Sequence, residues 1–301
     1  MKAKKAKVEK LIYTATIHQN VGASHYTSSK KEAEHILKKL ETMNITILRL
    51  PFVYGEKFSG KLSFLNGMPH RLARYFFKLL AAFKVTLHIS ALVDCIDTNL
   101  KLVSSDEVML SDKQENNLVY AIVRRALDIS FALSIIVVFW WLLLLVWFAV
   151  KMTSKGPGIF VQQRVGLHCK PFFLYKFRTM LDGTEQVGSH EIKSNSVTKI
   201  GRFLRKTKID ELPQVFNILQ GNMSLIGPRP CLLSQYELVE VRSKCGVYEV
   251  LPGITGYSQV KNIDMSSVEH LAKEDEKYIK IRTLTLDFQI LVSTVLGWKL
   301  L

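Results

Sequence analysis

The chain has 301 residues, with 41 Lys and Arg against 26 Asp and Glu, and a formal net charge of +15. That length holds one large domain or two, and the excess of cation points to an anionic partner: nucleic acid, acidic lipid or a phosphorylated substrate. The four cysteines, Cys95, Cys169, Cys231 and Cys245, form no C-x-x-C pair, which argues against a zinc site or a disulfide framework and for reduced thiols facing the cytoplasm.

Residues 1–10 are lysine-rich and expected to fray. Residues 11–17 read as a short β run. Tyr26-Thr27-Ser28-Ser29-Lys30 opens a helical pattern carried on by Ala33, Ile36, Leu37 and Leu40, and residues 45–52 read as a buried strand. Tyr26 and Lys30 are four apart and share a helix face, the geometry of a Tyr–Lys acid–base pair. Residues 71–84 mix Leu and aromatic residues with Arg71, Arg74, Lys78 and Lys84. Such a helix lies in a membrane interface or packs on its own domain. Residues 104–117 are polar and read as a linker.

From 129 to 150 no residue is charged, and only Ser130 and Ser134 are polar. The run is long enough to cross a bilayer core and starts too late to be a cleavable signal peptide. Arg124 and Arg125 precede it; Lys151, Lys155, Arg164 and Lys170 follow it. Cations favour the cytoplasmic side, so both ends are expected there, as a re-entrant hairpin.

Beyond this run the motifs crowd. Ser154-Lys155-Gly156-Pro157-Gly158 and Gln163-Arg164-Val165-Gly166 lead to Lys176-Phe177-Arg178-Thr179-Met180. Ile200-Gly201-Arg202-Phe203-Leu204-Arg205-Lys206 precedes Asp210-Glu211-Leu212-Pro213. Gly227-Pro228-Arg229-Pro230 and Pro252-Gly253-Ile254-Thr255-Gly256 follow. Asp210 and Glu211 are adjacent carboxylates ringed by cations, which suits phosphate chemistry on a lipid. Pro213 fits the first turn of a helix, where its missing N–H costs nothing. The pair is therefore expected at or just before a helix N-terminus, whose partial positive charge favours ionised carboxylates. Neighbours at i and i+1 point to different sides, so one carboxylate can attack while the other holds a metal. The plainer reading is an acidic helix start.

Two resemblances follow from these residues. Tyr26 to Lys30, with Arg49-Leu50-Pro51-Phe52-Val53-Tyr54-Gly55, resembles the middle of an extended short-chain dehydrogenase/reductase of the nucleotide-sugar epimerase type, over roughly residues 11–60. The Gly-rich turn that holds a dinucleotide pyrophosphate in such enzymes is absent. The segment is therefore expected to be a truncated remnant that binds no NAD(P). From about Arg124 to the end, the motifs resemble the bacterial sugar transferase family, the monotopic polyprenol-phosphate phosphoglycosyl transferases.

The second resemblance implies transfer of a sugar 1-phosphate from a UDP-sugar to a polyprenol phosphate, usually undecaprenyl phosphate, with release of UMP. It implies a covalent intermediate on Asp210, Mg²⁺ held by Glu211, and substrate phosphates bound by Lys176, Arg178, Arg205 and Arg229. Asp275 and Asp287 are expected to be structural. The setting implied is the bacterial inner membrane, at the start of O-antigen, capsule or exopolysaccharide synthesis, with the catalytic domain in the cytoplasm. Lipid is a partner, nucleic acid is not, and oligomerisation is open. The family's membrane helix carries a Ser-Pro break; here Trp140-Trp141 stands at about that place.

The expected fold is α/β: an incomplete Rossmann-like fragment (1–60), an amphipathic segment and linker (61–118), a membrane-inserted helix region (119–152) and a small catalytic domain with amphipathic surface helices (153–301). The rival from another class is a catalytically silent membrane scaffold that recruits a nucleotide-sugar enzyme; UMP release from a UDP-sugar separates the two.

Overall fold

The computed structural model describes residues 10–17, 25–39, 44–99, 107–153, 155–181, 183–184 and 196–298. Their fold is mixed α/β. It divides into two compact units, one built from residues 1–121 with 280–286, the other from 122–279 with 287–300.

In the first unit, strand β1 (Lys10–Thr16) is followed by helix α1 (His25–Lys38) and strand β2 (Asn44–Leu50). The strands pair in parallel, from Lys10 opposite Asn44 to Thr16 opposite Leu50. The strand expected over residues 45–52 is divided at Pro51. Proline has no N–H to give a ladder, so β3 (Phe52–Tyr54) starts afresh and pairs with β4 (Thr86–His88) instead. Between them lies helix α2 (His70–Phe83), and α3 (Ile89–Asn99) follows β4. Within the stretch read as a linker, Glu107–Met109 forms β5, parallel to the other edge of β2. Arg49 joins these pieces: its guanidinium is ion-paired to Glu34 at 3.0 Å and also to Glu107. Lys30 donates to the Thr14 carbonyl at 2.7 Å. Tyr26 falls within α1, but its side chain lies outside the described residues.

The second unit begins on helix α4 (Leu118–Thr153), which contains the uncharged run. It is the one helix among the described residues long and apolar enough to cross a membrane. It is not continuous. Phe139 has φ −113° and ψ 17°, outside the helical region. No Pro or Gly causes the break. The indole N–H of Trp141 donates to the Val138 carbonyl at 3.1 Å, and Ser134 bonds back to the Ser130 carbonyl at 2.7 Å. Serine back-bonding of this kind bends helices, and the indole satisfies a carbonyl beside the break.

Strands β6 (Ile159–Val165) and β7 (Pro171–Phe177) form an antiparallel hairpin. Helix α5 (Lys199–Thr207) follows, capped by Thr198, whose hydroxyl accepts from Gly201 N. Then come helix α6 (Gln214–Leu219), strand β8 (Ser224–Ile226), helix α7 (Tyr236–Lys244), strand β9 (Gly253–Thr255), and helices α8 (Tyr257–Val260), α9 (Val268–Ile281) and α10 (Leu284–Leu296). Val146 and Val150 of α4 are buried with Phe177 and Leu204, so the second half of α4 packs on β7 and α5. The first half is pinned differently. Buried Asp128 accepts from Ser224 Oγ at 3.1 Å and Leu225 N at 2.8 Å. Arg125 donates to the carbonyls of Ile218 and Leu219 at the end of α6, where a cation meets both orphan acceptors and the helix dipole.

Candidate active site

Asp210 and Glu211 lie on a 3-10 turn, Ile209–Glu211, directly before Pro213 and α6. The chain enters that turn through Lys208, which is left-handed at φ 61° and ψ 10° and ends α5. The carboxylates therefore stand just ahead of a helix, as Pro213 predicted.

The two side chains have different surroundings. Glu211 Oε1 accepts from Lys176 Nζ at 3.2 Å and from Arg229 Nη2 at 2.9 Å. Burial by itself would raise the Glu211 carboxyl; the charges of Arg229 and Lys176 outweigh it and hold it at about 2. Asp210 is buried, and its Oδ1 has no hydrogen-bond partner among the described residues. Burial and the neighbouring Glu211 charge push its carboxyl above the ordinary range, against the pull of Lys176, Arg205 and Lys208. One carboxylate thus meets two cations through a single oxygen, and the other is desolvated. Such a divergence between neighbours is the arrangement that separate chemical roles require.

Each cation is placed by its own framework. Lys176 comes from β7, which is locked to α6 by Asn217: its amide nitrogen donates to the Phe173 carbonyl at 2.6 Å, and its oxygen accepts from Tyr175 N at 3.1 Å. Arg205 Nε donates to Thr179 Oγ1 at 2.9 Å. Arg229 stands on the Gly-Pro-Arg-Pro loop, where that loop meets the Pro-Gly-Ile-Thr-Gly loop backbone to backbone. A Cβ on Gly253 would lie 2.1 Å from Gly227 N, so only glycine permits the approach. Gly253 N donates to the Pro228 carbonyl at 3.0 Å and Gly227 N to the Thr255 carbonyl at 2.8 Å.

Of the six expected site residues, the structure gathers Asp210, Glu211, Lys176, Arg205 and Arg229. Arg178 differs. Its Nη1 donates to the Lys155 carbonyl at 2.9 Å, over Gly156. The left-handed φ of 103° at Gly156 would strain any residue with a side chain there. The bond to the Lys155 carbonyl holds Arg178 to that loop.

Sequence reasoning missed two further features. Arg164 on β6 donates to the Pro230 carbonyl at 3.3 Å. Burial and the charge of Arg229 lower its guanidinium to about 10. Arg242 of α7 donates to the Arg229 carbonyl at 2.7 Å and pairs with Asp275 of α9 at 2.6 Å. Asp275 also accepts from Ser258 at 2.6 Å. Asp287 accepts from the Tyr278 hydroxyl at 2.7 Å. No local pattern announces Arg242, because its partner is 33 positions away.

Glu211 opens on a cleft of about 800 Å³, lined also by Lys208, Arg229, Thr255, Gln259 and Trp298 among others; buried Asp210 lies next to Glu211 in sequence but is not part of the lining. No group of three or more candidate metal ligands occurs among the described residues. Two adjacent carboxylates, one with an unpartnered oxygen, still fit Mg²⁺, which is commonly held by one or two carboxylates plus substrate phosphates and water.

The sequence pattern described as "Bacterial sugar transferase" matches residues 119–299. The chain belongs to that family. An "Uncharacterized sugar transferase EpsL" of Bacillus subtilis (strain 168) is 38% identical over 174 residues, 58% of this chain and 86% of that protein. The "UDP-N-acetylgalactosamine-undecaprenyl-phosphate N-acetylgalactosaminephosphotransferase" of Aeromonas hydrophila is 38% identical over 59% of this chain. The "UDP-glucose:undecaprenyl-phosphate glucose-1-phosphate transferase" of Klebsiella pneumoniae is 38% identical over 57%. The match spans only 44% and 39% of those two relatives. Residues 2–124 match a second pattern, described as "Male sterility protein", of the NAD-binding type, in keeping with the reductase-like reading of the first unit.

Proposed function

We propose that this sugar transferase moves a sugar 1-phosphate from a UDP-sugar to a polyprenol phosphate through a covalent intermediate on Asp210. The observation that carries this reading is the contrast within the pair: Glu211 is clamped by Lys176 and Arg229, whereas Asp210 Oδ1 is buried without a partner among the described residues. An oxygen of Asp210 attacks the sugar-bearing phosphorus of the donor. The bond from that phosphorus to the bridging oxygen breaks, and UMP leaves with the electron pair. An oxygen of the polyprenol phosphate then attacks the same phosphorus and displaces the Asp210 carboxylate. Two displacements replace one direct approach of two anions. Arg229, Lys176 and Arg205 supply cations to the phosphate oxygens, the arginines as two-pronged donors. Mg²⁺, when bound by Glu211 and the donor's diphosphate, would neutralise charge on the leaving UMP.

Replacing Glu211 with Gln is expected to lower the rate of UMP release and raise the Mg²⁺ concentration needed for half-maximal rate, since an amide is a poorer ligand for a hard cation. A titration of Mg²⁺ into both proteins checks this; wild-type turnover that persists in EDTA removes the metal role.

The same reading places α4 in the cytoplasmic leaflet as a re-entrant helix of an inner-membrane enzyme. Supporting it, Arg125 and Asp128 hold one end of the uncharged run to α6 and β8, and Val146 and Val150 hold the other to β7 and α5. In a straight helix residues 128 and 150 would stand about 33 Å apart, more than a bilayer core. The break at Phe139 lies between them. Single cysteines at Lys113 and Lys199, in a background without native cysteines, are expected to be equally protected from an impermeant maleimide in intact cells. Labelling at 113 from outside, with 199 protected, establishes a spanning helix instead.

A further inference from the structure

Helix α2, in the first unit, is apolar on more than the surface the fold covers; besides the face described next, only Ala82 is packed, against Tyr120 and Leu284. Ala73, Phe77 and Ala81 are buried with Leu65, beside Tyr54, Phe58, Leu62 and Met68. Leu72, Tyr75, Phe76, Leu79, Leu80 and Phe83 are instead between 37% and 59% exposed. Their positions, at 0, 3, 4, 7, 8 and 11 along the helix, fall on a single stripe. A surface helix normally gives that stripe to charged residues. Six large apolar side chains on 14 residues make a patch of the kind that meets a partner.

The charges say which partner. Arg71, Arg74 and Lys78 are exposed, at 0, 3 and 7 along the helix, and form a second stripe bordering the apolar one. The helix contains no Asp or Glu. A two-fold contact with a second copy would bring these cation stripes against each other, which is repulsive. An anionic lipid surface takes both features together: apolar side chains among the upper acyl segments, cations among the phosphates.

We propose that α2 docks the first unit on the anionic face of the bilayer, lying in the plane of the interface with Leu72, Phe76 and Leu79 inserted. The tether formed by α4 rests on its reading as membrane-inserted. It would keep α2 at high effective concentration near lipid, so that a short helix suffices. The docking face itself stands on its residues.

The test uses the full chain in nanodiscs, with Cys95, Cys169 and Cys245 replaced by serine and nitroxides placed singly at Phe76, Leu79 and, as control, Glu32. Collision with an aqueous nickel chelate is expected to fall roughly threefold or more at 76 and 79 when phosphatidylglycerol is added to phosphatidylcholine, with no change at 32. The surface variant Arg71→Glu/Arg74→Glu/Lys78→Glu is expected to abolish that difference. Three results overturn the proposal: nickel access that is high in both lipids, protection that ignores both lipid charge and the triple variant, or dipolar broadening between labels on two copies. None of these readouts depends on UMP release, so failure here is distinguishable from failure of the transferase mechanism.

Discussion

Asp210→Asn is expected to reduce UMP release by at least about a hundredfold, because the proposed covalent route needs the Asp210 carboxylate as nucleophile. The substitution is isosteric. Among the described residues Asp210 Oδ1 has no hydrogen-bond partner to lose, so the fold should tolerate the amide and the loss should report chemistry. A second readout separates nucleophile from bystander. With donor alone and acceptor omitted, the wild-type protein should gain the mass of one sugar phosphate, and Asp210→Asn should not. The pH profile carries a sign. The attacking form is the carboxylate, and burial with the Glu211 charge lifts its pKa above the usual 3.8. Activity should therefore fall, as pH is lowered, through a limb lying above 3.8. Glu211, held at about 2, stays ionised throughout that limb. Near wild-type UMP release by Asp210→Asn would remove the assignment.

The site was legible where local rules decide it. Pro213 fixes its own backbone within a few residues, so the sequence placed Asp210 and Glu211 just before a helix, and the 3-10 turn and α6 agree. The basic aromatic stretch at 71–84 was equally local and became α2. What the sequence did not disclose depends on distant partners. Residues 107–109 look polar and unstructured in isolation; they become β5 because β2 offers a free edge and Arg49 a charge for Glu107. Arg124 and Arg125 were read as topogenic charges, yet Arg125 also caps α6 and Arg124 donates to Ser224, so flank charge alone was a weak guide to topology. The break in α4 was hidden because its cause is not a proline. It sits at Phe139, beside the Trp141 indole that satisfies the Val138 carbonyl. Inside a bilayer an unsatisfied carbonyl costs several kcal/mol, so a tryptophan able to donate there can do part of what a helix breaker does elsewhere.

Asp275→Asn is expected to destabilise the second unit by about 3–5 kcal/mol, the usual effect of breaking a buried pair and leaving one charge unpaired. The Arg242 and Asp275 side chains are 1% and 3% exposed, and their contact is 2.6 Å. Arg242 Nε has no partner among the described residues, and burial pushes the Asp275 carboxyl up even beside the guanidinium. The pair is thus costly to bury and costlier to halve. Its value lies in what it holds: Arg242 carries the Arg229 carbonyl, and Asp275 takes the Ser258 hydroxyl on the floor of the cleft. Loss of Asp275 should therefore lower the thermal midpoint and, in the protein that remains folded, raise KM for the UDP-sugar as Arg229 loses its fixed backbone. Replacing both partners by Leu should cost less stability than Asp275→Asn, since no charge is left buried, yet leave the KM defect. Thermal melts in detergent and UMP-release kinetics on the three proteins check both halves. A double variant as unstable as the single one would mean that the hydrogen bonds to Arg229 and Ser258, rather than the unpaired charge, carry the effect.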